Sequence, residues 1–137
     1  MANPRKTIFL SGPMKGIPRQ EGLAWREKAR KLLSKHFLTK HAYRGREEKE
    51  TFSDPKSAVI RDKYDIRHCG LLLVNDTFAN SSMIGTAMEV LIAYENNIPV
   101  ILFGNGHDKD YFLNYHSHAR FTTLEEACAM INRMFAD

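Results

Sequence analysis

Three short, uninterrupted apolar runs constrain this chain most: Thr7 to Leu10, Leu71 to Val74 and Pro99 to Phe103. Each is too short for a buried helix. Each also stops at a polar or glycine-bearing turn: Ser11-Gly12-Pro13, Asn75 onward and Gly104-Asn105-Gly106. Continuous rather than alternating apolarity marks strands covered on both faces. The stretches between them read as helices. From Arg19 to His36, Leu23, Trp25, Ala29, Leu32 and Leu33 recur at helical spacing, with Arg26, Lys28, Arg30, Lys31 and Lys35 mostly between them. Pro55 opens a helix that runs to Cys69 and stops at Gly70. Ile84 to Tyr94 makes another, stopped by Asn96-Asn97. The last helix spans Thr122 to Phe135, capped by Thr123 with Glu126 three residues on, and Leu124, Ala127, Cys128, Ile131 and Met134 face inward. A weaker strand is expected near Phe37 to Ala42, and Tyr43 to Ser57 reads as a long charged loop.

Strand and helix alternate throughout, which predicts an α/β fold: one domain over residues 1–137, doubly wound and flavodoxin- or Rossmann-like. The expected sheet is mainly parallel, of about five strands, with helices on both faces. With 137 residues, 43% of them apolar, the chain buries a core that needs no disulfide or metal staple. Cys69 and Cys128 lie among apolar neighbours and read as buried, reduced thiols. No apolar run approaches the roughly twenty residues that span a bilayer. The first residues carry no long apolar stretch or cleavage pattern, so no membrane partner and a cytoplasmic location are expected. A net charge of +4 is a weak field for a dedicated nucleic-acid binder and suits a small anionic substrate.

In open parallel sheets ligands bind beyond the carboxyl ends of the strands, which directs attention to residues 11–19, 43–57, 75–85 and 104–118. Ser11-Gly12-Pro13-Met14-Lys15-Gly16 offers a hydroxyl, backbone amides and a cation just before a helix, where a phosphate can sit. It lacks the spacing of a P-loop or a dinucleotide fingerprint, so no nucleotide cofactor is expected. Glu89 stands out on its helix, because Gly85 lies one turn before it and Ile92 and Ala93 one turn after, a face unlike a solvated charged stripe. Asp62 and Asp65, three apart on the preceding helix, share one side, and either can meet Glu89 across the strand end. Carboxylates about 5 Å apart suit double-displacement glycosidic cleavage, one attacking the anomeric carbon while the other handles protons. A metal at His107, His116 and His118 is the competing account, but no cysteine pair or helical histidine repeat accompanies them, so no metal is expected. Another class, a non-catalytic nucleotide- or nucleic-acid-binding module, would use Lys40, Arg44, Arg46 and Lys49. Glu47, Glu48 and Glu50 dilute that basic loop, and no stable nucleic-acid partner is expected.

Taken in order, several segments resemble the nucleoside 2-deoxyribosyltransferase superfamily, including its small phage-type members and the related deoxynucleoside 5-monophosphate N-glycosidases. They are Ile8 to Met14, Tyr43-Arg44-Gly45, Arg61 to Asp65 through Leu71 to Asn75, Ile84 to Glu89, and Pro99 to Leu102. The resemblance implies a nucleoside or nucleotide substrate, with Glu89 as the nucleophile that forms a glycosyl-enzyme and Asp62 as the acid. Asp65 is the second choice for that acid and is otherwise a substrate contact. It implies that Ser11, Gly12, Lys15 and Arg19 hold a 5-phosphate, and that Arg44 and Gly85 also line the substrate. The family's polar residue six positions before the glutamate is Met83 here, and Ser82 is expected to substitute. Phe9, Tyr43 and Phe78 are candidates to stack on the base. The resemblance further implies a homodimer or higher homo-oligomer in which neighbours complete the site.

Overall fold

The computed structural model describes residues 5–43 and 54–136. Five strands form one wholly parallel sheet: β1 (Lys6–Ser11), β2 (Phe37–His41), β3 (Leu71–Asn75), β4 (Val100–Phe103) and β5 (Ala119–Phe121). Helices α1 (Arg19–Leu33), α2 (Pro55–Arg67), α3 (Ile84–Glu95), α4 (Tyr111–Tyr115) and α5 (Leu124–Phe135) connect and follow them. The order β2-β1-β3-β4-β5 reverses direction between β1 and β3, which opens a crevice beyond their carboxyl ends. The expected α/β parallel sheet is therefore present, with two additions: the sequence reading did not locate α4 or β5.

The continuous apolar runs supply both layers because successive side chains point to opposite faces of a strand. Ile8, Leu71, Leu73, Ile101 and Phe103 join α1 and α5 on one face, where Ala29, Leu33, Cys128 and Ile131 are buried. Phe9, Leu72, Val74, Val100 and Leu102 join α2 and α3 on the other, with Ile66, Val90 and Ala93. Met134, expected to face inward, is 65% exposed, because α5 turns Leu124, Ala127, Cys128 and Ile131 to the sheet and Met134 lies off that face. Both cysteines are free and buried, and desolvation pushes the Cys69 thiol up to about 11 and that of Cys128 up to about 12.

The helix ends follow local chemistry. Asp54 caps α2 by accepting from Ser57 N at 3.2 Å, with Pro55 in the first turn. Thr123 Oγ1 accepts from Glu126 N at 3.2 Å. At the end of α3, Asn97 adopts φ 60°, and Asn97 N and Ile98 N donate to Tyr94 O (3.1 Å) and Ala93 O (2.9 Å), a Schellman closure. At the carboxyl edge, fully buried Asp76 ties three segments together. It accepts from Arg120 Nη1 (2.7 Å) and His107 N (3.0 Å), and its carbonyl accepts from Gly106 N (2.7 Å). No helix among the described residues is long and apolar enough to cross a membrane.

Candidate active site

A cavity of about 570 Å³ opens beyond β1, between the loop that follows it and helices α2 and α3. Gly12 and Lys15 reach it from the loop, Asp62 and Lys63 from α2, and Gly85 and Glu89 from α3. The fold brings these residues together because β1 ends beside β3 at the topological reversal and α2 packs directly against α3. Most of the remaining wall is aliphatic or thioether, including Met14, Val59, Ile84 and Met88.

Glu89 is partly buried, and Ser11 Oγ donates to its Oε1 at 2.6 Å. Desolvation raises its pKa to about 7, and the neighbouring negative charge of Asp62 adds to the rise. The Ser11 hydrogen bond and the positive charge of Arg26 act in the opposite direction. At neutral pH this carboxyl therefore divides between its two protonation states, and its ionised fraction has the charge a nucleophile needs. Asp62 is largely shielded, its side chain 15% exposed, with Arg61 Nη2 at 3.5 Å.

Gly12 is required by close approach: a Cβ there would stand 3.0 Å from Trp25 Cζ2 and 3.3 Å from Asn75 Cβ. At Gly85 a Cβ would meet nothing within 4 Å, so this position borders open space at the cavity. Ser82 lines the cavity and accepts from Ile84 N at 3.4 Å at the start of α3, while Met83 packs against the α2–α3 core.

Other sequence candidates lie elsewhere. Asp65 is buried outside the cavity wall, with Lys40 Nζ at 3.7 Å. Arg19 places its guanidinium 5.5 Å from the Tyr43 ring centre and does not line the cavity. Arg44 falls outside the described residues, as do Arg46, Lys49 and the interleaved glutamates. None of Phe9, Tyr43 and Phe78 lines the cavity: Phe9 belongs to the core, and Tyr43 is buried beside Arg26. The three histidines also serve separate neighbours. Nδ1 of His107 meets Asp76 Oδ1 at 2.6 Å, that of His116 meets Phe112 O at 2.7 Å, and that of His118 accepts from Val100 N at 2.9 Å. Among the described residues, no three His, Cys, Asp or Glu side chains are grouped to hold a metal ion.

The sequence reading missed Arg26. It places this residue between the apolar positions of α1, yet Arg26 is 1% exposed and borders the cavity from below. Its Nη1 donates to Gly22 O (2.8 Å) and its Nη2 to Gly12 O (3.1 Å), and the guanidinium lies 4.5 Å from the Trp25 ring centre and 4.9 Å from that of Tyr43. One arginine among the five basic residues of α1 carries no local signal of burial.

No protein-family model matches the chain, and neither does any curated protein. Solved structures do. A 2-deoxyribosyltransferase from Bacillus psychrosaccharolyticus superposes with a TM-score of 0.69 at 17% identity, covering 88% of each chain. A conserved protein from Enterococcus faecalis V583 gives 0.68 at 15% identity, over 95% of this chain and 99% of that one. A CMP N-glycosidase from Clostridium botulinum gives 0.63 at 18% identity, over 93% and 99%. The chain shares their fold, and two of the three carry the kinds of activity found in the superfamily the sequence resembles.

Proposed function

We propose that this protein cleaves the N-glycosidic bond of a deoxynucleoside or deoxynucleoside 5-monophosphate through a glycosyl-Glu89 intermediate. The observation that carries the reading is the pairing of Glu89 with Asp62 in one largely apolar cavity at the sheet reversal, with Ser11 holding the Glu89 carboxylate at 2.6 Å. The fold shared with a 2-deoxyribosyltransferase and a CMP N-glycosidase supports it.

In the first step a Glu89 oxygen forms the bond to C1 of the sugar as the bond from C1 to the base nitrogen breaks. The electron pair leaves with the base and is neutralised by the one proton that the two carboxyls share, carried by Asp62 at the moment ionised Glu89 attacks. In the second step Asp62 takes a proton from water or from an incoming nucleobase, which attacks C1 and frees Glu89. A sugar bound against the aliphatic wall displaces water from it, which strengthens the charge interactions inside. In this reading Lys15 and the backbone amides after Ser11 hold a 5-phosphate, with Lys63, which also lines the cavity, as a second cation. The acceptor, water or base, is read from the products of an incubation that contains one deoxynucleotide and free bases.

Base release from deoxynucleosides and their monophosphates, measured for wild type and Glu89→Ala, tests the reading. Wild type is expected to release base, and loss of the nucleophile to slow release by roughly a thousandfold or more. A wild type that releases none is a binding module instead. Release indifferent to Glu89→Ala assigns the nucleophile elsewhere.

The protein is also proposed to self-associate. On the α2, α3 and α4 layer, away from the cavity wall, Ile60, Tyr64, Leu91, Tyr111 and Phe112 are 40–88% exposed. With Tyr115 they present several hundred Å² of apolar area, on the order of one side of a standard interface. A second copy of this chain, presenting the same apolar side chains, is the proposed occupant of that face.

A further inference from the structure

A guanidinium buried without a carboxylate partner is expensive, and proteins ordinarily pair or expose it. Among the described residues Arg26 is held only by two carbonyls and two aromatic faces, and its Nε has no hydrogen-bond partner. Burial lowers its pKa to about 10, which leaves it a cation at neutral pH. The turn above it links that charge to the proposed nucleophile: Gly12 O accepts from Arg26, and the adjacent Ser11 donates to Glu89.

We propose that Arg26 is a positioning residue of this cavity: a fixed charge under the Ser11-Gly12 turn that keeps Glu89 available as a carboxylate when substrate displaces water. Its use in catalysis rests on the glycosidic reading; the coupling to Glu89 does not. Among the described residues, the other charged groups around Glu89 are Lys15 from the loop after β1 and Asp62 and Lys63 from α2, with the Tyr43 hydroxyl beyond Arg26. Lys15 is exposed and Lys63 partly so, and solvent screens them. Asp62 opposes ionisation of Glu89. Arg26 alone combines positive charge with full burial, and a bound sugar that dries the cavity strengthens its effect.

A purely structural arginine would change stability on removal and leave the Glu89 titration in place. Carboxyl carbon resonances of Glu89 are therefore followed against pH in wild type, Arg26→Gln and Arg26→Lys. Arg26→Gln is expected to move the Glu89 midpoint up by about one pH unit or more, and Arg26→Lys to leave it near wild type. The acid limb of base release should move with the midpoint. An unmoved midpoint in folded Arg26→Gln, or equal shifts in both variants, overturns the proposal. Where Arg26→Gln does not fold, the native protein decides: the Arg26 Nε–H resonance should inflect at the Glu89 midpoint and lose that inflection in Glu89→Gln, and a flat response overturns it. The titration reads the coupling whether or not base is released, so a protein without activity sinks the glycosidic reading and not this one.

Discussion

Glu89 is where opposing forces nearly balance. Its ordinary value is 4.5 and its folded value about 7, so between those limits the folded protein holds the proton more tightly than the unfolded chain. The stabilising contribution is complete below 4.5 and is lost as pH rises through about 7. Glu89→Gln, which keeps the shape and removes the charge, is expected to raise Tm over wild type at about pH 8 and to gain little at about pH 4. Thermal unfolding at both values checks this, and equal Tm at the higher pH would mean that the ionised carboxylate is not costly. The candidate carboxylates are legible in the sequence because spacing alone puts Glu89 on an apolar and glycine-bearing helix face. Arg26 is not legible, because its burial depends on Tyr43, a residue from the far side of β2 that closes over it.

Among the elements, α3 depends on its carboxyl end as well as on its packed face. Asn97 stands at φ 60°, where a β-branched side chain meets its own backbone. Asn97→Val is expected to cost roughly 1–2 kcal/mol and Asn97→Gly to be nearly neutral, as read from urea midpoints. Equal losses in both would show that the side chain, not the backbone conformation, matters there. The strands β1, β3 and β4 are legible because burial on both faces demands unbroken apolar runs. In contrast, β5 has three partly buried residues and α4 only five in all, and neither has a periodicity to read. Residues 119–121 become a strand because β4 offers a parallel partner, with Ile101, Leu102 and Phe103 opposite Ala119, Arg120 and Phe121.

At the scale of the whole molecule, two helical layers cover the sheet, and one of them presents the apolar outer surface proposed for self-association. Sedimentation velocity is expected to find a dimer or larger species at about 50 μM, and Leu91→Arg to yield monomers with wild-type secondary structure. A wild type that sediments as a monomer discards that interface. Asp76 divides the carboxyl edge unevenly. Its bonds secure Gly106, His107 and Arg120, none of which borders the cavity. The cavity residues Gly12 to Lys15 and Ser82 stand outside that lock, so the two halves of the edge are fastened independently of each other.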